Sequence, residues 1–96
     1  MRLDKFLKLS RLIKRRTLAK EVADQGRITN NGKVVKAASR VKVGDELAIR
    51  FGQKIVTVRV ELLKEIVRKD EAATMYTILK EERLEKIEPQ FIDDED

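Results

Sequence analysis

Residues 2–20 read Arg2-Leu3-Asp4-Lys5-Phe6-Leu7-Lys8-Leu9-Ser10-Arg11-Leu12-Ile13-Lys14-Arg15-Arg16-Thr17-Leu18-Ala19-Lys20, and two patterns are superimposed in them. Leu3, Phe6 and Leu7 recur at i, i+3 and i+4, which places them on one face of a helix. At about 100° per residue, Arg2, Lys5 and Lys8 fall on the opposite side, with Asp4 at the margin. The first helix is therefore expected to bury apolar side chains while presenting a basic stripe. Residues 10–16 read as a connector from which Leu12 and Ile13 plug into the core. Thr17 is the expected N-cap of a second helix over residues 18–25, with Leu18 and Val22 turned inward and Gly26 just past its end. Its capping box is incomplete, because Lys20 stands where Glu or Gln would.

Beyond Gly26 the period changes from helix to strand. Arg27-Ile28-Thr29 leads into Asn31-Gly32, a tight-hairpin signal, and Val34-Val35 leaves it. Lys42-Val43-Gly44-Asp45 is a turn in which glycine supplies the positive φ. Leu47, Ile49 and Phe51 then alternate with Ala48 and Arg50 as a half-buried strand. Gly52-Gln53 turns the chain, and residues 55–60 return as its partner. The fold class is thus α+β: two short N-terminal helices packed on a small antiparallel sheet, followed by a C-terminal extension. Residues 1–62 are expected to form the domain proper, and 63–88 a partly helical extension. Within that extension Asp70 is the expected cap of a helix through Ala72, Ala73, Tyr76 and Leu79. Residues 89–96, ending Asp93-Asp94-Glu95-Asp96, read as an acidic disordered tail.

Charge is divided between the two halves of these 96 residues. Residues 1–60 hold sixteen Lys and Arg against five acids, whereas 61–96 hold six against twelve, so the net charge of +5 conceals a strongly basic first half. Between residues 2 and 20 eight bases are opposed by Asp4 alone. Like charges repel, and a fold keeps them together mainly where an anion sits. The chain has no Cys and no His, which removes thiolate zinc sites, thiol nucleophiles and the commonest acid/base residue. Walker loops, dinucleotide fingerprints and nucleophile elbows are absent from the sequence, and neither Ser10 nor Ser39 has a His to activate it. Neither catalysis, a cofactor nor a metal is expected. No apolar run approaches the length of a membrane span or a signal peptide, so a soluble cytoplasmic protein with no membrane partner is expected.

The ordered set Arg2-Leu3-Asp4-Lys5-Phe6-Leu7, Ser10-Arg11, Arg15-Arg16-Thr17-Leu18-Ala19, Gly26-Arg27-Ile28, Asn31-Gly32-Lys33 and Val43-Gly44-Asp45-Glu46-Leu47 closely resembles the RNA-binding module named after small-subunit ribosomal protein S-four, also called the αL motif. One departure is Asn30, where the family usually carries an apolar residue before the Asn-Gly turn. With Gly52-Gln53-Lys54 and residues 71–82, the resemblance extends over roughly 1–86. There it is similar to the bacterial ribosome-associated quality control protein P family, kin of the fifteen-kilodalton heat-shock protein. That resemblance implies binding to large-subunit rRNA and to the P-site peptidyl-tRNA of a stalled complex. It also implies support for a partner protein that adds C-terminal tails without mRNA, by a chain that is monomeric off the ribosome.

Chemistry agrees with an RNA ligand. A-form RNA hides its base edges in a deep groove, so such proteins read phosphates, 2′-hydroxyls and shape. The planar forks of Arg2, Arg11, Arg15 and Arg16 suit bidentate phosphate contact, while Lys5, Lys8, Lys14 and Lys20 add less directional attraction. Leu3, Phe6, Leu18 and Val22 are expected in the core, and Tyr76 in a satellite of it. Asp4 has two readings: it orients a neighbouring Arg by hydrogen bonding, or it favours the helix N-terminus. Two other function classes stand beside RNA binding. One is a helix-turn-helix DNA binder, disfavoured because residues 18–25 are short and carry Glu21 and Asp24. The other is an adaptor whose basic face meets an acidic protein.

Overall fold

The computed structural model describes residues 1–83. Helix α1 (Leu3–Leu9) and helix α2 (Arg16–Asp24) pack against each other, and both contribute to one core with the sheet. The sheet is antiparallel, in the order β2-β1-β3-β4-β5, formed by β1 (Ile28–Asn30), β2 (Lys33–Val34), β3 (Glu46–Phe51), β4 (Lys54–Val60) and β5 (Tyr76–Arg83). A 3₁₀ helix (Lys69–Met75) leads into β5. The α+β class with two N-terminal helices on an antiparallel sheet is as the sequence indicates.

Side-chain alternation fixes which face of the sheet is covered. Leu47 and Ile49 of β3 and Val56, Val58 and Val60 of β4 are buried, and they meet Leu3, Phe6 and Leu7 of α1. Fully burying each of these larger side chains contributes about 1.5–3 kcal/mol. Ile13 is buried and Leu12 packs on the core edge, so the connector is anchored from within.

Three expectations about local structure are corrected. First, α2 starts at Arg16 with Arg15 at the N-cap, so Thr17 already lies inside the helix, and no side chain caps it. Second, its inward residues are Ala19 and Ala23, both fully buried, while Leu18 is 47% exposed and Val22 only half-buried. Hydrophobicity favours Leu18, but α1 already supplies the bulk with Leu3, Phe6 and Leu7. In a close-packed core, small residues then face them. Third, the helix expected through Tyr76 and Leu79 ends at Met75, and Tyr76–Arg83 is strand. The helical pattern lost to tertiary context. The outer edge of β4 offers unpaired backbone groups, and β5 takes them up in a register from Val60↔Tyr76 to Lys54↔Arg83, with an irregularity at Thr57/Val58. The 3₁₀ helix begins after Arg68, whose N–H donates to Glu71 Oε1 at 3.3 Å, and Asp70 is therefore not its cap. The acidic tail expected at 89–96 lies outside the described residues.

Segments 35–41 and 42–46 hold the helices and the hairpin together. Leu3 N–H donates to the Ser39 carbonyl at 2.7 Å, Val41 N–H to the Met1 carbonyl at 2.9 Å, and Ala37 N–H to Asp24 Oδ1 at 3.1 Å. Asn30, the departure from the family pattern, is absorbed by a polar contact: its Nδ2 donates to buried Asp45 at 2.9 Å. Its Oδ1 is buried with no hydrogen-bond partner among the described residues.

Candidate nucleic-acid interface

Asp4 is the centre of the basic face. It lies in the first turn of α1 and is only 3% exposed, yet four donor groups from three residues converge on its carboxylate. Arg2 forks onto it, Nε to Oδ1 and Nη2 to Oδ2, both at 3.2 Å. Arg16 Nη2 donates to Oδ1 at 3.4 Å, and the backbone N–H of Lys5 donates to the same oxygen at 2.8 Å. Burial alone would push the Asp4 carboxyl up, but the hydrogen bonds and charges of Arg2 and Arg16 outweigh it and hold it below its ordinary value. Both readings of Asp4 are thus present in its contacts, a bond to the first turn of α1 and bonds to two arginines.

The arginines themselves are not buried. Their side chains remain 45% and 48% exposed. A buried carboxylate has fixed one side of each guanidinium and left the rest open to an anion. Arg2 is further pinned by its neighbours' backbone bonds and by a bridge pairing it with Arg40. Rotamer freedom that a free surface arginine would lose on binding an anion is here lost in part on folding.

The other six bases do not all share this face. Lys5 leaves it to pair with Glu65 of the 61–68 segment, and its ammonium holds the Glu65 carboxyl below its ordinary value. Arg11 sits at φ 63°, a left-handed conformation unusual for a side chain of this size. It lines a groove with Leu12, Phe51, Tyr76 and Ile78, on the β4–β5 side. Lys20 lies beside Thr17, Glu21 and Asp24 on α2. Lys8, Lys14 and Arg15 are exposed with no ion-pair partner among the described residues. The geometry brings together Arg2 and Arg16 through Asp4, pairs Lys5 with Glu65, and sets Arg11 in a groove beside Phe51 and Tyr76. Residue spacing along α1 could not show the diversion of Lys5, because Glu65 is sixty residues away. Arg40, which the sequence reading does not single out, lies across a backbone bridge from Arg2.

Residues 1–47 match the family model described as the S4 domain. The chain is 74% identical over 84 residues to the RQC P-site tRNA stabilizing factor of Bacillus subtilis (strain 168), a match covering 88% of this chain and 98% of that protein. It is 68% identical over 88 residues to the protein of the same name from Halalkalibacterium halodurans, covering 92% of this chain and all of that one. Among solved structures it is similar to Vibrio cholerae Heat Shock Protein 15, described as trimeric, with a TM-score of 0.77 and 30% identity over 82% of this chain and 81% of the other. With this sheet order, this helical pair and identity of that extent, the chain belongs to the family of RQC P-site tRNA stabilizing factors.

Proposed function

We propose that this chain is a non-catalytic RNA-binding factor of ribosome-associated quality control. It docks on large-subunit rRNA and steadies the P-site peptidyl-tRNA of a stalled complex, while a tail-adding partner protein extends the nascent chain without mRNA. Off the ribosome it is a monomer. Arg2 and Arg16 make the directional phosphate contacts, and Lys8, Lys14, Arg15 and Lys20 supply attraction around them, with Lys5 and Arg11 at the periphery. The observation that carries this reading is the buried Asp4 carboxylate gripping two half-exposed guanidiniums. What sets it apart from the other ion pairs among the described residues is the acid, which is buried here and solvent-accessible in them, while both cations stay open to an anion. A DNA-reading helix is disfavoured by α2, which has nine residues and exposes Glu21 and Asp24 in its second half.

Sedimentation with separated ribosomal subunits tests the reading. The chain is expected to travel with large subunits carrying peptidyl-tRNA, to bind vacant large subunits less, and to remain behind with small subunits. Equal binding to vacant and tRNA-loaded large subunits would remove peptidyl-tRNA from the account. Preference for duplex DNA over structured RNA in a competition assay would remove RNA altogether.

A further inference from the structure

Three cations outside the helical face share one groove. Lys33, Arg40 and Lys42 line it with Asn30, Asn31 and Asp45, and its volume is about 530 Å³. We propose that this groove is a second RNA subsite, which takes a length of phosphodiester backbone running on from the Arg2–Asp4–Arg16 cluster. The proposal rests on the RNA-binding reading above and extends it to the hairpin end of the molecule.

Charge is the first argument. Asp45 lines the groove and its single negative charge opposes a phosphate there, but it is 4% exposed and its oxygens are engaged by donors, while three cations stand around it. Oδ2 accepts from Asn30 Nδ2 at 2.9 Å and from Lys42 N–H at 3.0 Å, and Oδ1 accepts from Asn31 Nδ2 at 3.4 Å. Lys33 and Arg40 are exposed and have no ion-pair partner among the described residues. Lys42 is also exposed and lends part of its charge to Asp45. The field at the mouth of the groove is therefore positive.

Continuity and stiffness supply the second argument. Arg40 is the backbone-bridge partner of Arg2, so the groove begins where the Asp4 cluster ends. The hairpin turn cannot swing away from it. Asn31 N–H donates to the Glu46 carbonyl at 2.8 Å, and Glu46 N–H donates to Asn31 Oδ1 at 3.1 Å. The backbone that carries Lys33 is thus tied to the turn that follows Arg40 and Lys42, which keeps these three cations along one groove, as a polyanion requires. Val35 and Val41 also line the groove, but Val41 is buried and Val35 half-buried, so the exposed side chains of Lys33, Arg40 and Lys42 are what a ligand meets, and a polyanion fits them better than an acidic peptide.

The test uses Lys33→Ala/Arg40→Ala/Lys42→Ala in the full chain, with large subunits carrying peptidyl-tRNA as the probe and a salt titration as the readout. Affinity is expected to fall roughly tenfold, and the slope of log affinity against log salt to become shallower by about 2, at some 0.7–0.9 per phosphate contact. Because the chain has no cysteine, Lys33→Cys offers a unique attachment point for a cross-linker, which is expected to capture RNA. If the triple variant melts early, Lys33→Glu alone, at an exposed turn position, is expected to lower affinity and slope in the same direction. Wild-type affinity and slope in the folded variants, with binding lost in Arg2→Ala/Arg16→Ala, would overturn the groove and leave the helical face standing. Retention by all of them would sink both readings. Cross-linking to protein instead of RNA would also overturn the groove.

Discussion

Asp4 and Asp45 are both buried carboxylates that tie distant segments together, and they do it with opposite chemistry. Asp4 joins the start of α1 to the start of α2 through two guanidiniums, and those cations remain half-exposed. Asp45 joins the β1–β2 turn to the turn before β3 through two side-chain amides and a backbone N–H. In both, burial opposes ionisation, and hydrogen bonds reverse the effect, so each carboxyl lies below its ordinary value. The difference is what each leaves at the surface. Neutral donors stabilise the Asp45 charge without cancelling it and yield a rigid scaffold, whereas charged donors around Asp4 yield a scaffold and a surplus of positive charge. On the proposed reading, a buried acid inside a basic stripe serves the binding surface, because it fixes one side of each of two guanidiniums.

The largest effect expected from that contrast is in Arg2→Ala/Arg16→Ala. Charge-assisted hydrogen bonds are worth about 1.5–3 kcal/mol each, so losing one such contact from each residue should weaken binding to peptidyl-tRNA-loaded large subunits by roughly hundredfold or more. A drop of only a few fold in a quantitative binding titration would mean that the Asp4 cluster is peripheral. Arg16→Lys is expected to cost on the order of 1–2 kcal/mol, about tenfold, because the charge survives but the planar fork does not. A tolerated Arg16→Lys would reduce the cluster to a diffuse electrostatic patch. Arg16→Glu is the less clean variant. It would set a second carboxylate beside buried Asp4, so its melting curve should shift as well as its binding.

Stability sharpens the comparison next. Asp4→Asn and Asp45→Asn should each lower stability at neutral pH by about 1–3 kcal/mol, since each weakens a buried network without emptying it. Both carboxyls are depressed in the fold, so their stabilisation is complete above the ordinary value of 3.8 and is lost as pH falls below it, through the lower folded values. The gap between wild type and either variant in thermal or denaturant unfolding is therefore expected to narrow below about pH 4. A gap that stayed constant down to pH 2 would show that the carboxylate charge is not what stabilises these junctions.

Much of this was legible in the residues, and the failures share a cause. Asn31-Gly32 and Gly44 demand turns whatever surrounds them, and both turns occur, with φ values of 52°, 90° and 96°. The Leu3, Phe6 and Leu7 face is self-consistent and is buried. Leu18 was misplaced because its burial depends on the bulk of α1 and not on its own hydrophobicity. Tyr76–Arg83 was misread because strand formation there is decided by the free edge of β4, sixteen or more residues earlier. At the interface, the eight bases were visible as a charge excess, but their sorting was not. Glu65 captures Lys5 from the far half of the chain, the conformation of Arg11 sends it toward the sheet, and Arg40 arrives beside Arg2 only through a backbone bridge. Local periodicity reports what a segment can do, and long-range pairing selects among those options.

The smallest predicted effect is also the most direct test of the central claim that Asp4 orients the RNA-binding arginines. Asp4→Asn and Asp45→Asn each remove one negative charge from a basic molecule, so long-range electrostatics alone would strengthen RNA binding slightly in both. Affinities for peptidyl-tRNA-loaded large subunits should be measured side by side, at one salt concentration and at a temperature where both variants are folded. The account predicts opposite signs, with Asp4→Asn binding several-fold more weakly than wild type and Asp45→Asn binding as well as wild type or slightly better. Equal or tighter binding by Asp4→Asn would contradict it, and Asp4 would then be a structural acid whose arginines need no orientation to meet RNA.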